Sequence, residues 1–385
     1  MSVCRPFVRR TVLTAAACLM PLVTVKAQSG SYVSRLGSDT LSVERFTRTG
    51  SKIEGQLVLR SPSTVVVSYS LMLNADGTVA SMEQGIARAD GTPAPGQPTG
   101  ARMRFVGDTV IREITANGQT TERRNAVPRG TLPALGLPWK IYEMGIAEAR
   151  RNGTGTYYTM SANPQATAPT KWAVTFAKAD SVDVDYFGAP IAVTLDRAGL
   201  IVRADGIRST NKAVVSPAGS VDVATIATAW AARDAAGQAM GMASPRDTVR
   251  GTVGGAALLV DYGRPAKRGR VVWGTVVPFG EVWRLGANAA TQFTTDKELE
   301  IGGSVVPAGS YTLWLIPAAD GGTLIINKQT RQWGTQYDAA HDLARVAVRR
   351  SRASLAAEKF TTTIEGDELR FSWDDATFAV KVRAR

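Results

Sequence analysis

The chain has 385 residues, 45 Lys and Arg against 33 Asp and Glu, a formal charge of +12, one histidine and two cysteines. Its 44% hydrophobic content is that of an ordinary folded protein, and the length suits two domains rather than one. The single His341 excludes any site built on two imidazoles within one chain, and cysteines confined to Cys4 and Cys18 argue against zinc–thiolate sites, disulfide frameworks and cysteine nucleophiles. No metal and no cofactor is expected.

Residues 1–27 read as a cleavable signal peptide. Arg5, Arg9 and Arg10 form the basic start, Thr11 to Val25 the apolar run, and Val25-Lys26-Ala27 the small-residue cleavage site. Pro21 interrupts the run, which is shorter than the roughly 20 residues of a membrane span, so no transmembrane anchor is expected after cleavage. Arg9-Arg10-Thr11-Val12-Leu13 leaves open the twin-arginine route beside the general one, and Ala15-Ala16-Ala17-Cys18 leaves open a lipoprotein carrying its lipid on Cys18. An exported protein, periplasmic or secreted, is the expectation. Removal of Arg5, Arg9, Arg10 and Lys26 lowers the formal +12 to +8 and takes both cysteines away. The basic residues are largely interleaved with acids. Two clusters, Arg264, Lys267, Arg268, Arg270 and Arg345, Arg349, Arg350, Arg352, read as exposed loops or helix faces, and no nucleic-acid partner is expected.

Residues 28–216 read as a β-rich N-terminal domain. Short runs with period-two alternation recur from Thr40 to Ala204, among them Lys52 to Arg60, Ser63 to Leu73, Met103 to Ile114, Ser181 to Tyr186 and Ile191 to Leu195. Asp76-Gly77, Asn117-Gly118 and Asp196 to Gly199 supply turns, which predicts an antiparallel meander curved into an open half-barrel. Asp90 to Gly100 is a Pro/Gly loop. Pro138 to Asn152 carries Ile141, Met144 and Ala147 or Glu148 at helical spacing, with Pro138 suited to a first turn and Gly153 to a stop, and predicts one short helix.

Residues 217–243 read as a linker helix, Val221 to Met240, with Val223, Ile226, Ala227 and Trp230 as its apolar stripe and Gly241 as its end. From 244 to 385 the chain is again β, with about nine short strands, Val271 to Val276 among them, and predicts an antiparallel β-sandwich. The fold class is therefore all-β.

The C-terminal part contains Asp261-Tyr262-Gly263-Arg264-Pro265, the stretch Val277 to Asn288, Pro307 to Tyr311, Asn327-Lys328, Gln332-Trp333-Gly334 and Tyr337-Asp338. In these it resembles a bacterial family known as domain of unknown function 2911. The resemblance implies an exported β-sandwich over about residues 244–385 and no reaction; it does not reach residues 28–240.

Within that segment Trp283, Arg284, Asn288, Asn327, Lys328 and Trp333 combine stacking rings, a guanidinium fork and amide donors, which suit a carbohydrate or an anionic group. The competing reading makes Trp283 and Trp333 core aromatics and Arg284 a buried strut paired with Glu281 or Asp338. For an enzyme, the available acids and bases are Glu281, Asp338 and Asp342, a carboxylate set suited to hydrolysis of saccharide or envelope material; His341 reads as solvated in a loop. No nucleophile elbow, phosphate loop or metal cluster appears. Three functions remain: a non-catalytic ligand-binding or envelope-associated protein, which the residues favour, a carboxylate hydrolase, or a carrier of apolar ligands in the N-terminal domain.

Overall fold

A computed structural model describes residues 28–135 and 138–385. The signal-peptide reading, both cysteines and the export route concern residues outside these. The described residues are mostly β and form two sheets, one of fifteen strands and one of nine.

The first sheet starts from Gln28–Leu36, which pairs on one side with Asp39–Thr49 and on the other with Val214–Pro217, and two antiparallel arms run outward from this centre. One arm ends at Gln119–Ala126. The other runs back to Thr156–Ser161, which pairs in parallel with Leu132–Ala134. That parallel pair needs a crossover, and helix α1 (Trp139–Arg151) supplies it. The two edge strands are thus close in sequence, and the sheet curls until they nearly meet.

Among the described residues no ladder joins them, so the barrel stays open. Arg112, fully buried, spans the seam instead: Nη1 donates to the carbonyls of Ser161 (2.7 Å) and Asn163 (3.0 Å), and Nη2 to that of Ala166 (2.8 Å). Asn125 accepts from the same guanidinium and donates to the Thr167 carbonyl at 2.9 Å.

Alternation along the strands sends Phe46, Ile53, Tyr69, Leu71, Met82 and Met103 to the concave side, where α1 fills the barrel with Trp139, Ile141, Tyr142, Ile146 and Ala149. Helix α1 starts behind Pro138, which has no capping side chain, and has no acid in its first turn. Its free N-terminal N–H is taken from outside, by Glu44 Oε2 on Trp139 N at 2.6 Å. Gly55 sits between Phe46 and Tyr69 in register, and a Cβ there would lie 2.1 Å from the Tyr69 ring. The bare backbone lets Tyr69 lie across the strand and reach Glu44.

Helix α2 (Val223–Arg233) is capped by Asp222, which accepts from Ala224 N and Thr225 N. Its stripe packs on the outer face of the first sheet, against Val43, Val58 and Val66, and Trp230 lies there under Arg60. The helix is shorter than its apolar pattern suggested. It unwinds at Asp234–Gln238, where Gly237 takes φ +73°.

The nine-stranded sheet is one continuous ladder folded over a main core, with a small separate cluster of Ala290, Trp314 and Ile325, and Asp342–Glu365 and Glu368–Ala384 form its long central hairpin. The expected strand Val271–Val276 is absent. Gly269 (φ +69°) just before it and Gly274 (φ +84°) within it turn the segment into a compact loop closed by Val277 N on Val272 O at 2.8 Å. No helix among the described residues is long and apolar enough to cross a membrane.

The sheets meet through loops. Arg268 pairs with Asp39, Ser38 N donates to Arg268 O at 2.9 Å, and Thr335 donates to the Phe187 carbonyl. Gly37 (φ +62°) is required here, since a Cβ would lie 2.1 Å from Arg268 O. The basic cluster Arg264–Arg270 is therefore not a solvated loop: it pairs with Asp247, Asp374 and Asp39, because the irregular chain that carries it lies against both the long hairpin and the first sheet.

Candidate functional site

The irregular segment that follows the basic cluster, residues 271–290, runs along the second sheet and is pinned to it by Trp283 N on Leu315 O and Leu315 N on Trp283 O, both 2.8 Å. It leaves a cavity of about 650 Å³ between the sheets. Trp283, Arg284, Asn288 and Trp333 all line it, and so do Tyr186, Phe187, Lys212, Arg270 and Trp373.

Arg284 is the unusual group. It is only 8% exposed, among the described residues its side chain forms no ion pair, and its Nε is buried without a hydrogen-bond partner. It is paired with neither Glu281 nor Asp338. Its side chain is held by shape: Gly334 packs so closely that a Cβ there would lie 2.1 Å from Arg284 Cδ, while Gly334 N donates to the Asn288 carbonyl at 3.0 Å. Burial pushes the guanidinium down to about 10.

Lys212 approaches from the first sheet, on the loop after Ile201–Asp205, with φ +56°. Its Nζ donates to the carbonyls of Ile207 (2.5 Å) and Val276 (3.0 Å), one from each side of the junction. Burial first, then the charges of Arg284 and Arg270, push it down to about 7 against the opposing pull of Glu281. Arg270 donates to the carbonyls of Lys267 and Ala266 at 2.9 and 2.6 Å.

Trp283 is mainly core. Its ring lies 5.2 Å from Phe360 and 5.7 Å from Trp273, and Nε1 donates to Gly286 O at 3.1 Å. Trp333 is 36% exposed and presents a ring. Asn327 and Lys328 lie elsewhere. Asn327 is fully buried and staples a loop, donating to Asp338 O (2.8 Å) and Asp342 Oδ1 (2.9 Å), while the Lys328 side chain is exposed.

The three candidate acids do not line the cavity. Glu281 is exposed and 3.8 Å from Arg208, Asp338 bonds the His341 ring at 3.0 Å, and Asp342 accepts from Tyr337 and Arg345. Lys212, Tyr186 and Phe187 carried no sequence signal, because only tertiary folding brings their loops to the second sheet.

A second buried polar cluster fills the barrel. Glu44 accepts from Tyr69 at 2.7 Å, and Glu143 accepts from Tyr32, from Lys140 at 2.7 Å and from Ile201 N at 2.9 Å. Burial pushes Glu44 up to about 7, with its donors opposing and Glu143 adding to the rise. Each of these side chains has an internal partner, and the cluster is read as structural, although Tyr69 also borders the trough on the outer face of the first sheet. Two larger clefts lie on the first sheet. One is an open trough of about 1350 Å³ on the outer face, lined by Ser29, Gln56, Ser68 and the paired Arg102 and Glu83 (3.3 Å). The other, about 1120 Å³, is the barrel mouth, lined by Val67, Ile86, Ala94, Pro95, Leu135 and Ala162 among others.

Residues 244–382 match the family described as Protein of unknown function (DUF2911). This is the family that the motifs of the C-terminal part pointed to, and its description assigns no activity. No family match covers the first sheet. No curated protein matches the chain. The matched part carries Arg270, Trp283, Arg284, Asn288, Trp333 and Trp373, whereas Tyr186, Phe187 and Lys212 lie outside it, so the DUF2911 segment supplies only one wall of the cavity.

Proposed function

We propose that this is an exported, non-catalytic ligand-binding protein whose site is the cavity shared by the two sheets. The observation that carries the reading is Arg284, a buried guanidinium at a cavity wall without a charge partner. Burying an unpaired charge costs roughly several kcal/mol, and an anionic group on the ligand would remove that cost. This favours an anionic group over a carbohydrate as the feature recognised. Export is supported by the signal-peptide pattern of residues 1–27, and cell fractionation with N-terminal sequencing tests it: a mature chain starting at Gln28 is expected.

The hydrolase reading finds little support, because Glu281, Asp338 and Asp342 make their contacts away from the cavity. The carrier reading retains one favourable observation, the partly apolar barrel mouth. A thermal-shift ligand screen on the chain from Gln28, repeated with Arg284→Ala and Trp283→Ala, separates the sites. Hits lost in Arg284→Ala support the cavity between the sheets. Hits that survive both changes and vanish on filling the barrel mouth with Ala162→Trp support the carrier.

A further inference from the structure

The lining of the cavity between the sheets narrows the chemistry of its ligand. Three cationic side chains, Lys212, Arg270 and Arg284, face it, and no Asp or Glu is among the residues that form it. Arg270 and Lys212 direct their hydrogen bonds to backbone carbonyls, which satisfy donors without cancelling charge. Glu358 and Asp39 act on Arg270 and Glu281 acts on Lys212. Arg284 has no such counterpart: burial alone accounts for its shift. The excess of positive charge is therefore centred on Arg284, and Lys212 joins it at the cavity from the opposite sheet.

The rest of the wall is of a different kind. Tyr186 and Phe187 stand edge to face at 4.9 Å, Trp333 presents its ring, and Leu36, Leu41 and Met242 complete an apolar surface. A volume of about 650 Å³ far exceeds the needs of a small inorganic anion and falls in the range of organic-ligand sites. A saccharide needs acceptors as well as donors for its hydroxyls, and carboxylates, its strongest acceptors, are missing from this lining.

We propose that the ligand is an amphiphilic organic anion, with a carboxylate, sulfonate or phosphate-ester head held by Arg284 and Lys212 and a flat apolar body lying among Trp333, Phe187 and Tyr186. This rests on the reading of the cavity as the binding site. The head is gripped from both sheets at once, so neither half of the chain holds the complete site.

The test uses two fluorescent probes with the same aromatic body. Anilinonaphthalene sulfonate carries an anionic head, and N-phenylnaphthylamine lacks it; sodium sulfate serves as the head alone. With the chain from Gln28, the sulfonate is expected to bind with one-to-one stoichiometry and at least about tenfold more tightly than the neutral probe, with sulfate a weak competitor. Arg284→Met and Lys212→Met each reduce that preference severalfold and leave the neutral probe nearly unchanged, whereas Trp333→Ala weakens both probes. If Arg284→Met does not fold, Lys212→Met and Trp333→Ala carry the same comparison. Equal binding of the two probes, unaltered by the cation variants, overturns the amphiphilic-anion assignment while leaving a binding cavity. Sulfate competing as well as the sulfonate probe overturns the apolar half of it. Failure of every probe to bind, with all variants folded, overturns the binding reading itself.

Discussion

Replacement of Glu44 by glutamine inside the barrel should change how stability depends on pH. Glu44 is 1% exposed, and its carboxyl is pushed from its ordinary 4.5 up to about 7. The groups around it are the Tyr69 hydroxyl, the backbone N–H groups of Trp139 and Lys140, the Glu143 carboxylate and, beyond that, Tyr32 and the Lys140 ammonium. A carboxyl whose folded pKa is raised stabilises fully below its unfolded pKa and loses that contribution as pH rises towards the folded pKa. The wild-type protein therefore loses stability between about pH 4.5 and about pH 7. At about 1.4 kcal/mol per pKa unit the loss is about 3 kcal/mol. The side-chain amide of Glu44→Gln keeps an acceptor for Trp139 N and can donate to the Tyr69 oxygen, so the variant folds but lacks this slope. Urea unfolding of both proteins from about pH 5 to about pH 8 reads the difference, which also cancels the opposing pH effect of Lys212. The reasoning is refuted if the wild-type and variant curves run parallel over that range.

Three further outcomes follow from the same geometry. Arg112→Met strips the carbonyls of Ser161, Asn163 and Ala166 of their shared donor, and should cost about 3–5 kcal/mol with hydrogen exchange rising first in residues 119–126 and 161–167. Gly334→Ala places a methyl 2.1 Å from Arg284 Cδ and 2.4 Å from the Asn288 carbonyl, so both must shift; anion affinity should fall about tenfold or more by fluorescence titration, with a lowered melting temperature. Lys212, flanked by Arg284, Arg270, Arg208 and Glu281, is pushed down to about 7, so it loses its charge as pH rises through neutrality. Affinity for an anionic probe should weaken between about pH 6 and about pH 8 in the wild type and stay flat in Lys212→Met.

Much of this fold is legible in local patterns. The alternation along Val65–Leu73 or Ser181–Asp185, the helical spacing after Pro138 and the apolar stripe Val223, Ile226, Ala227 and Trp230 each reflect forces acting within about ten residues. What is not local is not legible. The pairing of Gln28–Leu36 with Val214–Pro217 joins chain segments far apart in sequence, and nothing in either marks the other. Val271–Val276 has strand composition, yet Gly269 and Gly274 decide its conformation. The candidate site divides in the same way. Trp283, Arg284 and Asn288 stand out because they lie in a Gly/Pro-punctuated stretch, where loops rather than a sheet face hold side chains, and Trp333 because it lies in a second such stretch. Asn327 and Lys328 share that second stretch but lie away from the cavity, since Asn327 is consumed by the Asp338 and Asp342 loop. Lys212 is an ordinary loop lysine until the second sheet closes over it.

The most direct test of the central claim is a crystal structure of the chain from Gln28 with anilinonaphthalene sulfonate bound. The account predicts the sulfonate within hydrogen-bond distance of Arg284 and Lys212 with the rings against Trp333 and Phe187. A probe found only in the barrel mouth or the outer trough, with Arg284 still unpartnered, would contradict it.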